Sequence, residues 1–173
     1  MIIIFFLQLS GIPGAGKSTL ALEIAKHINV IIIDHDVTKS AVMNSGLSVK
    51  DAAPISWDVG YAYVDFYLSQ GRNVIMDSCC FYNIQLIRSI KVAEKNNAEY
   101  KYIECYLNNL EEVNRRIKTR EGKPSQIKFM EHKDYHLWVD DMKRPEQNVL
   151  VVNTSKPIET YLNYVISYLC NIE

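Results

Sequence analysis

A glycine-rich octapeptide near the start of the chain constrains the fold more than any other feature. Residues 11–18 match the pattern G-x-x-x-x-G-K-[ST] in full. The apolar run Ile2–Leu9 precedes this octapeptide, and the residues after it place Leu20, Ile24 and Ile28 at helical spacing. A strand, a glycine loop and a helix in this order form the context in which the pattern binds phosphate. The sequence therefore predicts a nucleotide-binding loop between a strand and a helix, with a decayed loop on the same fold as the alternative.

The residue types in the octapeptide explain its chemistry. Glycines allow the backbone to wrap an anion closely and to adopt positive φ angles. The backbone N–H groups then converge on the β-phosphate at the start of the helix. We predict that Lys17 contacts the β- and γ-phosphates and that the Ser18 hydroxyl ligates Mg²⁺. The predicted nucleotide-binding residues are Gly11, Pro13, Gly14, Ala15, Gly16, Lys17, Ser18 and Thr19.

Length and composition favour one domain spanning residues 1–173. Of these residues 48% are hydrophobic, which is enough for a substantial core. The 19 basic and 20 acidic side chains nearly balance, whereas a dedicated nucleic-acid binder usually carries a basic excess. Four cysteines without C-x-x-C spacing favour a reduced, cytoplasmic setting. The apolar N-terminal run is too short to cross a bilayer, so we expect no membrane segment.

Apolar runs alternate with helical segments along the chain, which predicts an α/β fold with a parallel sheet and helices on both faces. Strands are predicted at Ile2–Leu9, Val30–Ile33, Val74–Met76, Tyr100–Leu107 and Val149–Val152. Helices are predicted at Lys17–Ile28, Ser56–Gln70, Asn83–Asn96, Leu110–Arg120, Ile127–Val139 and Ile158–Cys170. The segments expected to be irregular are 44–54 and 121–126. Because ligands bind at the carboxyl ends of such strands, we expect the functional side chains along one edge of the sheet.

A carboxylate closes the third predicted strand at Asp77, in an apolar-run-then-Asp pattern of the Walker B type. A carboxylate in this position can hold Mg²⁺ directly or through water, or accept a hydrogen bond from Ser18. The alternative is an aspartate that only caps the next helix. The glycine loop upstream favours the metal role.

Two carboxylates, Asp34 and Asp36, follow the second predicted strand. A carboxylate here can accept the proton of a substrate hydroxyl and orient that hydroxyl toward the γ-phosphate. We assign Asp36 as the candidate base and Asp34 as the alternative, although either could instead cap a helix that begins near Thr38. Lys39 is a candidate ligand for an anionic group, or simply an exposed helix lysine.

Basic residues cluster before a predicted helix break. Arg116 and Arg120 are four residues apart, so they share a helix face. We predict a lid over approximately residues 115–135, whose closure brings these two arginines onto the transferring phosphoryl group and excludes water. Arg115 is a further candidate for the same role. The alternative is an exposed basic face paired with acidic neighbours, namely Glu111, Glu112 and Glu121.

Aromatic residues occupy the predicted helix after the irregular segment. Trp57 and Tyr61 are candidates for stacking on a base or sugar of the acceptor. The remaining aromatic residues of this helix have the spacing of core packing, namely Tyr63, Phe66 and Tyr67.

The arrangement resembles the P-loop kinases with an AAA-type ATP-binding domain, in the group that includes polynucleotide kinase, chloramphenicol phosphotransferase, zeta toxin and gluconate kinase. The resemblance spans nearly the whole chain and rests on Gly11–Thr19, Asp36–Lys39, Val74–Asp77, Arg116 with Arg120, and Leu150–Thr154. It implies a three-layer P-loop fold with strand order 2-3-1-4-5 and a small helical lid. It also implies ATP and Mg²⁺ as cofactors and transfer of the γ-phosphate to a hydroxyl.

Three functions stay open from the sequence. A kinase for a small-molecule or nucleoside-like hydroxyl is favoured by the balanced charge. A polynucleotide 5′-hydroxyl kinase is the second; such kinases commonly show Asp-x-x-Arg after the second strand, and here Lys39 replaces the arginine that would form a bidentate fork. The third is an ATP-binding switch or ATPase without a phosphorylated acceptor. The sequence specifies neither the acceptor nor the oligomeric state.

Overall fold

Five parallel strands form the central sheet of the computed structural model, which describes residues 4–171. The strands are β1 (Phe5–Ser10), β2 (Val30–Asp34), β3 (Asn73–Asp77), β4 (Glu99–Tyr106) and β5 (Val149–Asn153). Their order is β2-β3-β1-β4-β5, which confirms the predicted topology. In the central strand, Leu7 is in register with Ile75 of β3 and with Lys101 of β4. Ile2 and Ile3, the first residues of the predicted N-terminal strand, lie outside the described residues.

Helices flank the sheet on both faces. They are α1 (Lys17–His27), α2 (His35–Asn44), α3 (Val49–Ser69), α4 (Asn83–Lys95), α5 (Leu110–Thr119), α6 (His132–Asp141) and α7 (Leu162–Cys170). A short 3₁₀ turn over Ile158–Thr160 precedes α7, where a single helix was predicted. Among residues 4–171, no helix combines the length and the apolar character that crossing a bilayer requires.

The two faces of β1 contribute to two separate core clusters. Leu7 and Leu9 pack in one cluster with residues of α1 and α7. Phe6 packs in the other with Val64 of α3 and Ala93 of α4. Because every side chain of β1 is buried, the strand is almost continuously apolar instead of alternating. Packing on both faces therefore fixes β1, and with it the start of the loop that follows β1.

The helix α3 is longer than predicted. The sequence suggested an irregular segment over 44–54, but α3 begins at Val49 because the Ser48 side chain caps it, accepting a hydrogen bond from the Asp51 N–H at 3.2 Å. Pro54 lies inside this helix, where it removes one backbone donor without ending the helix. The preceding helix also starts early: Asp34 caps α2, which therefore begins at His35 and not near Thr38.

The second helix of the predicted lid begins later than expected. It starts at His132, not at Ile127. The intervening backbone is bound by side chains: Asn114 both donates to the Met130 carbonyl at 2.9 Å and accepts from the Met130 N–H at 2.8 Å. Arg120 likewise donates to the Ile127 carbonyl at 3.0 Å. These contacts hold residues 120–131 as an ordered loop between α5 and α6.

Candidate active site

The loop between β1 and α1 requires glycine at two positions for reasons of space as well as backbone angle. Gly11 has φ 142°, and a Cβ there would lie 2.6 Å from the Cys105 carbonyl oxygen. Gly14 has φ 82°, and a Cβ there would lie 3.0 Å from the Val113 carbonyl oxygen. The loop therefore sits tightly against β4 and α5. The helix α1 starts directly after it, so the free N–H groups of its first turn are available to an anion.

Lys17 is held against the same loop. Its Nζ donates to the carbonyl oxygens of Gly11 at 2.9 Å and Ile12 at 3.1 Å. Burial alone lowers the pKa of Lys17, but neighbouring acidic groups, Asp77 among them, outweigh burial and leave the pKa above its ordinary value. The ammonium is therefore charged at neutral pH, as binding of the β- and γ-phosphates requires.

Ser18 and Asp77 meet at the carboxyl ends of β1 and β3. The Ser18 hydroxyl donates to Asp77 Oδ2 at 2.5 Å. Burial raises the pKa of Asp77, and Lys17 and Ser18 offset this rise only in part. Within residues 4–171, no three His, Cys, Asp or Glu side chains converge into a metal site. A hydroxyl and a carboxylate oxygen fit Mg²⁺, which is commonly bound by one or two protein oxygens together with phosphates and water.

The two candidate bases have different surroundings. Asp34 Oδ1 accepts from the Val37 N–H at 3.1 Å, and Oδ2 accepts from Lys123 Nζ at 2.8 Å. Its carboxylate thus caps α2 and binds the lid loop, and it does not line the cavity described below. Asp36 lines that cavity and is half-buried. Its Oδ2 accepts from Gln126 Nε2 at 2.8 Å, and its Oδ1 accepts from the Ser125 hydroxyl at 3.3 Å.

The three lid arginines lie in three different environments. Arg116 donates from Nε to Glu112 at 2.7 Å and from Nη2 to the Thr154 carbonyl at 2.7 Å. Its Nη1 lies 3.6 Å from the point where a Cβ on Gly16 would be, so the guanidinium rests beside the phosphate-binding loop. Arg120 braces the lid loop. Arg115 is exposed and forms a two-pronged ion pair with Glu112, away from the cavity.

Glu112 therefore binds two arginines at once. Hydrogen bonds from Arg115 and Arg116 lower the pKa of Glu112 to about 2. The carboxylate is charged at neutral pH, and it fixes one edge of the Arg116 guanidinium while Thr154 fixes another.

One cavity of about 800 Å³ joins these groups, a volume within the range of small-molecule sites. It is lined by the glycine loop, by Asp36 and Asp77, and by the lid. Lys39 and Trp57, two of the predicted acceptor-site candidates, also line it. Tyr61 does not line it. Its hydroxyl donates to the Gln85 carbonyl at 2.8 Å, and its ring is buried in the core. The Tyr61 ring instead packs beside the Trp57 ring, with ring centroids 5.9 Å apart, on the core side of Trp57.

The family is settled by residues 7–141, which match the AAA domain profile. The chain belongs to the AAA domain family. The matched region contains the glycine loop, the acidic ends of β2 and β3, and the lid with its arginines, and it confirms the resemblance to the P-loop kinase group. No protein of curated function matches the sequence significantly.

Solved structures share the fold of this AAA domain. A protein from Chloroflexus aurantiacus J-10-fl that carries a provisional kinase name aligns over 100% of both chains, with a TM-score of 0.77 and 17% identity. A gluconokinase from Sinorhizobium meliloti 1021 aligns over 99% of this chain and 95% of its own, with a TM-score of 0.64 and 16% identity. An APS kinase from Mycobacterium tuberculosis, solved with AMPPNP and APS, aligns over 98% and 99%, with a TM-score of 0.68 and 18% identity. At these identities the likeness shows a common fold.

Several cavity residues of this AAA domain were missed by sequence reasoning. Ser125 and Gln126 lie in a segment expected to be irregular, and nothing in their sequence context points to Asp36. Phe81 and Trp138 line the cavity and contact each other, with ring centroids 5.5 Å apart, although one follows β3 and the other lies on α6. Their aromatic side chains are the only feature in the sequence that suggests a role in ligand binding, and the sequence does not indicate that the fold brings them together.

Proposed function

We propose that this AAA domain is an ATP-dependent kinase, which transfers the γ-phosphate of ATP–Mg²⁺ to a hydroxyl of a small-molecule or nucleoside-like acceptor. The observation that carries the proposal is the common cavity. It joins the phosphate-binding loop at one end to the Asp36 carboxylate at the other, and lid residues contact both. The similar folds named as a gluconokinase and an APS kinase support a small acceptor. The cysteine spacing supports a cytoplasmic setting.

The protein residues divide the reaction between them. The loop N–H groups and Lys17 hold the β- and γ-phosphates, and Ser18 with Asp77 would hold Mg²⁺. When bound, Mg²⁺ neutralises charge on the phosphate oxygens. Asp36 orients the acceptor hydroxyl and takes its proton. Asp34 is less suited to this step because its carboxylate caps α2, is paired with the Lys123 ammonium and does not line the cavity.

The lid supplies the remaining charge. Arg116, beside Gly16, and Arg120 stabilise the transferring phosphoryl group, whose charge spreads over its equatorial oxygens. The lid loop also contacts Asp36 through Ser125 and Gln126, and these hydrogen bonds orient the carboxylate. Lys39 lies at the cavity wall, where it can bind a polar group of the acceptor.

Product analysis with a panel of acceptors tests the proposed function. The panel contains nucleosides, sugars, aminoglycoside-like alcohols and a 5′-hydroxyl oligonucleotide, and mass spectrometry detects an added phosphate. We expect one phosphate on a small molecule for each ADP released. Phosphorylation of the oligonucleotide alone would identify a polynucleotide kinase. ATP binding with slow hydrolysis that no acceptor stimulates would favour the switch function.

Glu112→Gln should lower kcat by about 10- to 100-fold, because Arg116 loses a charged partner and shifts from its place beside the loop. The KM for ATP should change less, since Lys17 and the loop N–H groups keep their positions. Steady-state kinetics with varied ATP measures both constants. Glu111→Gln is the matched control, because it makes the same chemical change on the preceding residue of α5, which does not line the cavity. Equal kinetic constants for the two variants would show that Glu112 does not position Arg116.

A further inference from the structure

Two pairs of aromatic side chains line the cavity, and one pair includes His35, the residue before Asp36. Trp57 of α3 stacks on His35, with ring centroids 4.0 Å apart and planes 24° apart. Phe81, after β3, contacts Trp138 of α6 at 5.5 Å with planes 55° apart. All four rings line the cavity. Flat aromatic surface thus adjoins Asp36 at the His35–Trp57 pair, and a second aromatic pair lines the same cavity.

The two aromatic pairs are held by different parts of the core. Trp57 packs against the cluster that contains Phe6, on one face of the sheet. Phe81 and Trp138 pack against the cluster that contains Leu7, on the other face. Each pair is therefore supported independently, and the cavity meets aromatic surface from two sides. Rings held in place in this way cost little conformational entropy when a ligand stacks on them.

Two of the charged groups at the Asp36 end of the cavity are bound by other side chains, whereas Lys39 on the cavity wall is left to meet a polar group of the acceptor. Lys123 is bound to Asp34 at 2.8 Å, and Asp36 is bound by Gln126. Burial lowers the pKa of His35 to about 4, so its ring is neutral at pH 7 and adds flat surface instead of charge. Among the described residues that line the cavity, the only arginines are the two of the lid. A polyanionic acceptor would lack the bidentate arginine contact that such groups usually receive.

We propose that the acceptor is an uncharged alcohol with an aromatic ring, which stacks on Trp57 while its hydroxyl meets Asp36, in a cavity that Phe81 and Trp138 also line. This inference rests on the proposed function and names its substrate class. The acceptor oxygen forms a bond to the γ-phosphorus as the bond from that phosphorus to the β–γ bridging oxygen breaks. ADP leaves with the electron pair, and Asp36 takes the hydroxyl proton. A nucleoside and an aryl-alkyl alcohol share this chemistry.

The chain itself provides the probe. It contains two tryptophans, Trp57 and Trp138, and both line the cavity. Intrinsic tryptophan fluorescence, excited at a wavelength that nucleosides do not absorb, therefore reports on this site alone. The full chain is saturated with a non-hydrolysable ATP analogue and then titrated with thymidine, 2-phenylethanol, ribose or gluconate. We expect at least one of the two ring-bearing alcohols to bind about tenfold or more tightly than ribose and gluconate.

Three variants connect the binding to the aromatic surface. Trp57→Ala should weaken binding of the ring-bearing alcohol by about tenfold or more, with Trp138 as the remaining reporter. Trp57→Phe keeps a ring at the site and should retain most of the affinity. Tyr164→Ala removes an exposed ring on α7 that does not line the cavity, and should leave affinity unchanged. Thermal unfolding of each variant separates loss of binding from loss of the fold.

The outcomes separate this inference from the proposed function. Tighter binding of thymidine would assign a nucleoside-like acceptor, and tighter binding of 2-phenylethanol an aryl-alkyl one; either supports the inference. Gluconate or ribose phosphorylated as well as the ring-bearing alcohols, with Trp57→Ala neutral, would overturn the inference and leave the kinase function standing. Ring-dependent binding that Trp57→Ala abolishes, without any phosphorylated product, would support the aromatic site and contradict the kinase function.

Discussion

Asp36→Asn should lower kcat by about 10²- to 10⁴-fold, the range that general-base catalysis contributes. Asparagine keeps the size of the side chain but cannot take the acceptor proton. The KM for ATP should stay nearly unchanged, because Asp36 lies at the acceptor end and makes its polar contacts with Ser125 and Gln126. Single-turnover phosphate transfer measures the chemical step, and binding of a fluorescent ATP analogue measures nucleotide affinity.

Asp34→Asn is the matched control for this experiment. It makes the same chemical change two residues earlier, at a carboxylate that caps α2 and binds Lys123. Asparagine caps helices about as well as aspartate, so the cap should persist. Loss of the Lys123 ion pair should lower the free energy of unfolding by at most about 1 kcal/mol, with a much smaller loss of kcat than in Asp36→Asn. A larger kinetic loss in Asp34→Asn than in Asp36→Asn would move the base to Asp34.

Arg116→Ala should lower kcat by about 10³-fold, the lower end of the range for arginines that stabilise a transferring phosphoryl group. Arg116 is suited to this role because Glu112 and the Thr154 carbonyl hold its guanidinium beside Gly16. Arg116→Lys keeps the positive charge but not the planar group with several donors, so it should recover only part of the rate. Pre-steady-state kinetics at saturating ATP measures the loss in the chemical step.

Arg115→Ala is a close control for the Arg116 variants. Both arginines are neighbours on α5 and both bind Glu112, but Arg115 is exposed and does not line the cavity. We expect its removal to change kcat by no more than a few-fold, as for most exposed ion pairs. Similar rate losses in the two alanine variants would assign the effect to the stability of α5 and would contradict a catalytic role for Arg116.

Features encoded by short stretches of sequence could be predicted well. The glycine loop is complete within residues 11–18, and the strand before it and the helix after it follow from local apolar patterns. The strand bounds agree within a few residues for the same reason, because buried parallel strands are continuously apolar. The sheet order, in contrast, came from the resemblance to P-loop kinases and not from any local pattern; the structure confirms it.

Features that depend on side-chain contacts across the fold could not be predicted. The start of α6 is delayed because Asn114 of α5 binds the backbone of Met130, a contact that no helical pattern encodes. Trp57 and Tyr61 are four residues apart and share a helix face, but Tyr61 lies one turn deeper, where Ser89 and the Gln85 carbonyl bind its hydroxyl. Helical periodicity identifies a face of a helix but not the depth of each residue along it.

The central position of β1 determines when the site can form as the chain folds. Phe6 is in register with Val74 on one side and Tyr100 on the other, so the first strand gains both neighbours only after much of the later chain is present. Contacts of such long sequence separation form slowly, and the apolar first strand is exposed to aggregation until they form. Nucleotide affinity should consequently emerge late in refolding, together with the pairing of β1, and an N-terminal fragment that ends before β3 should have none.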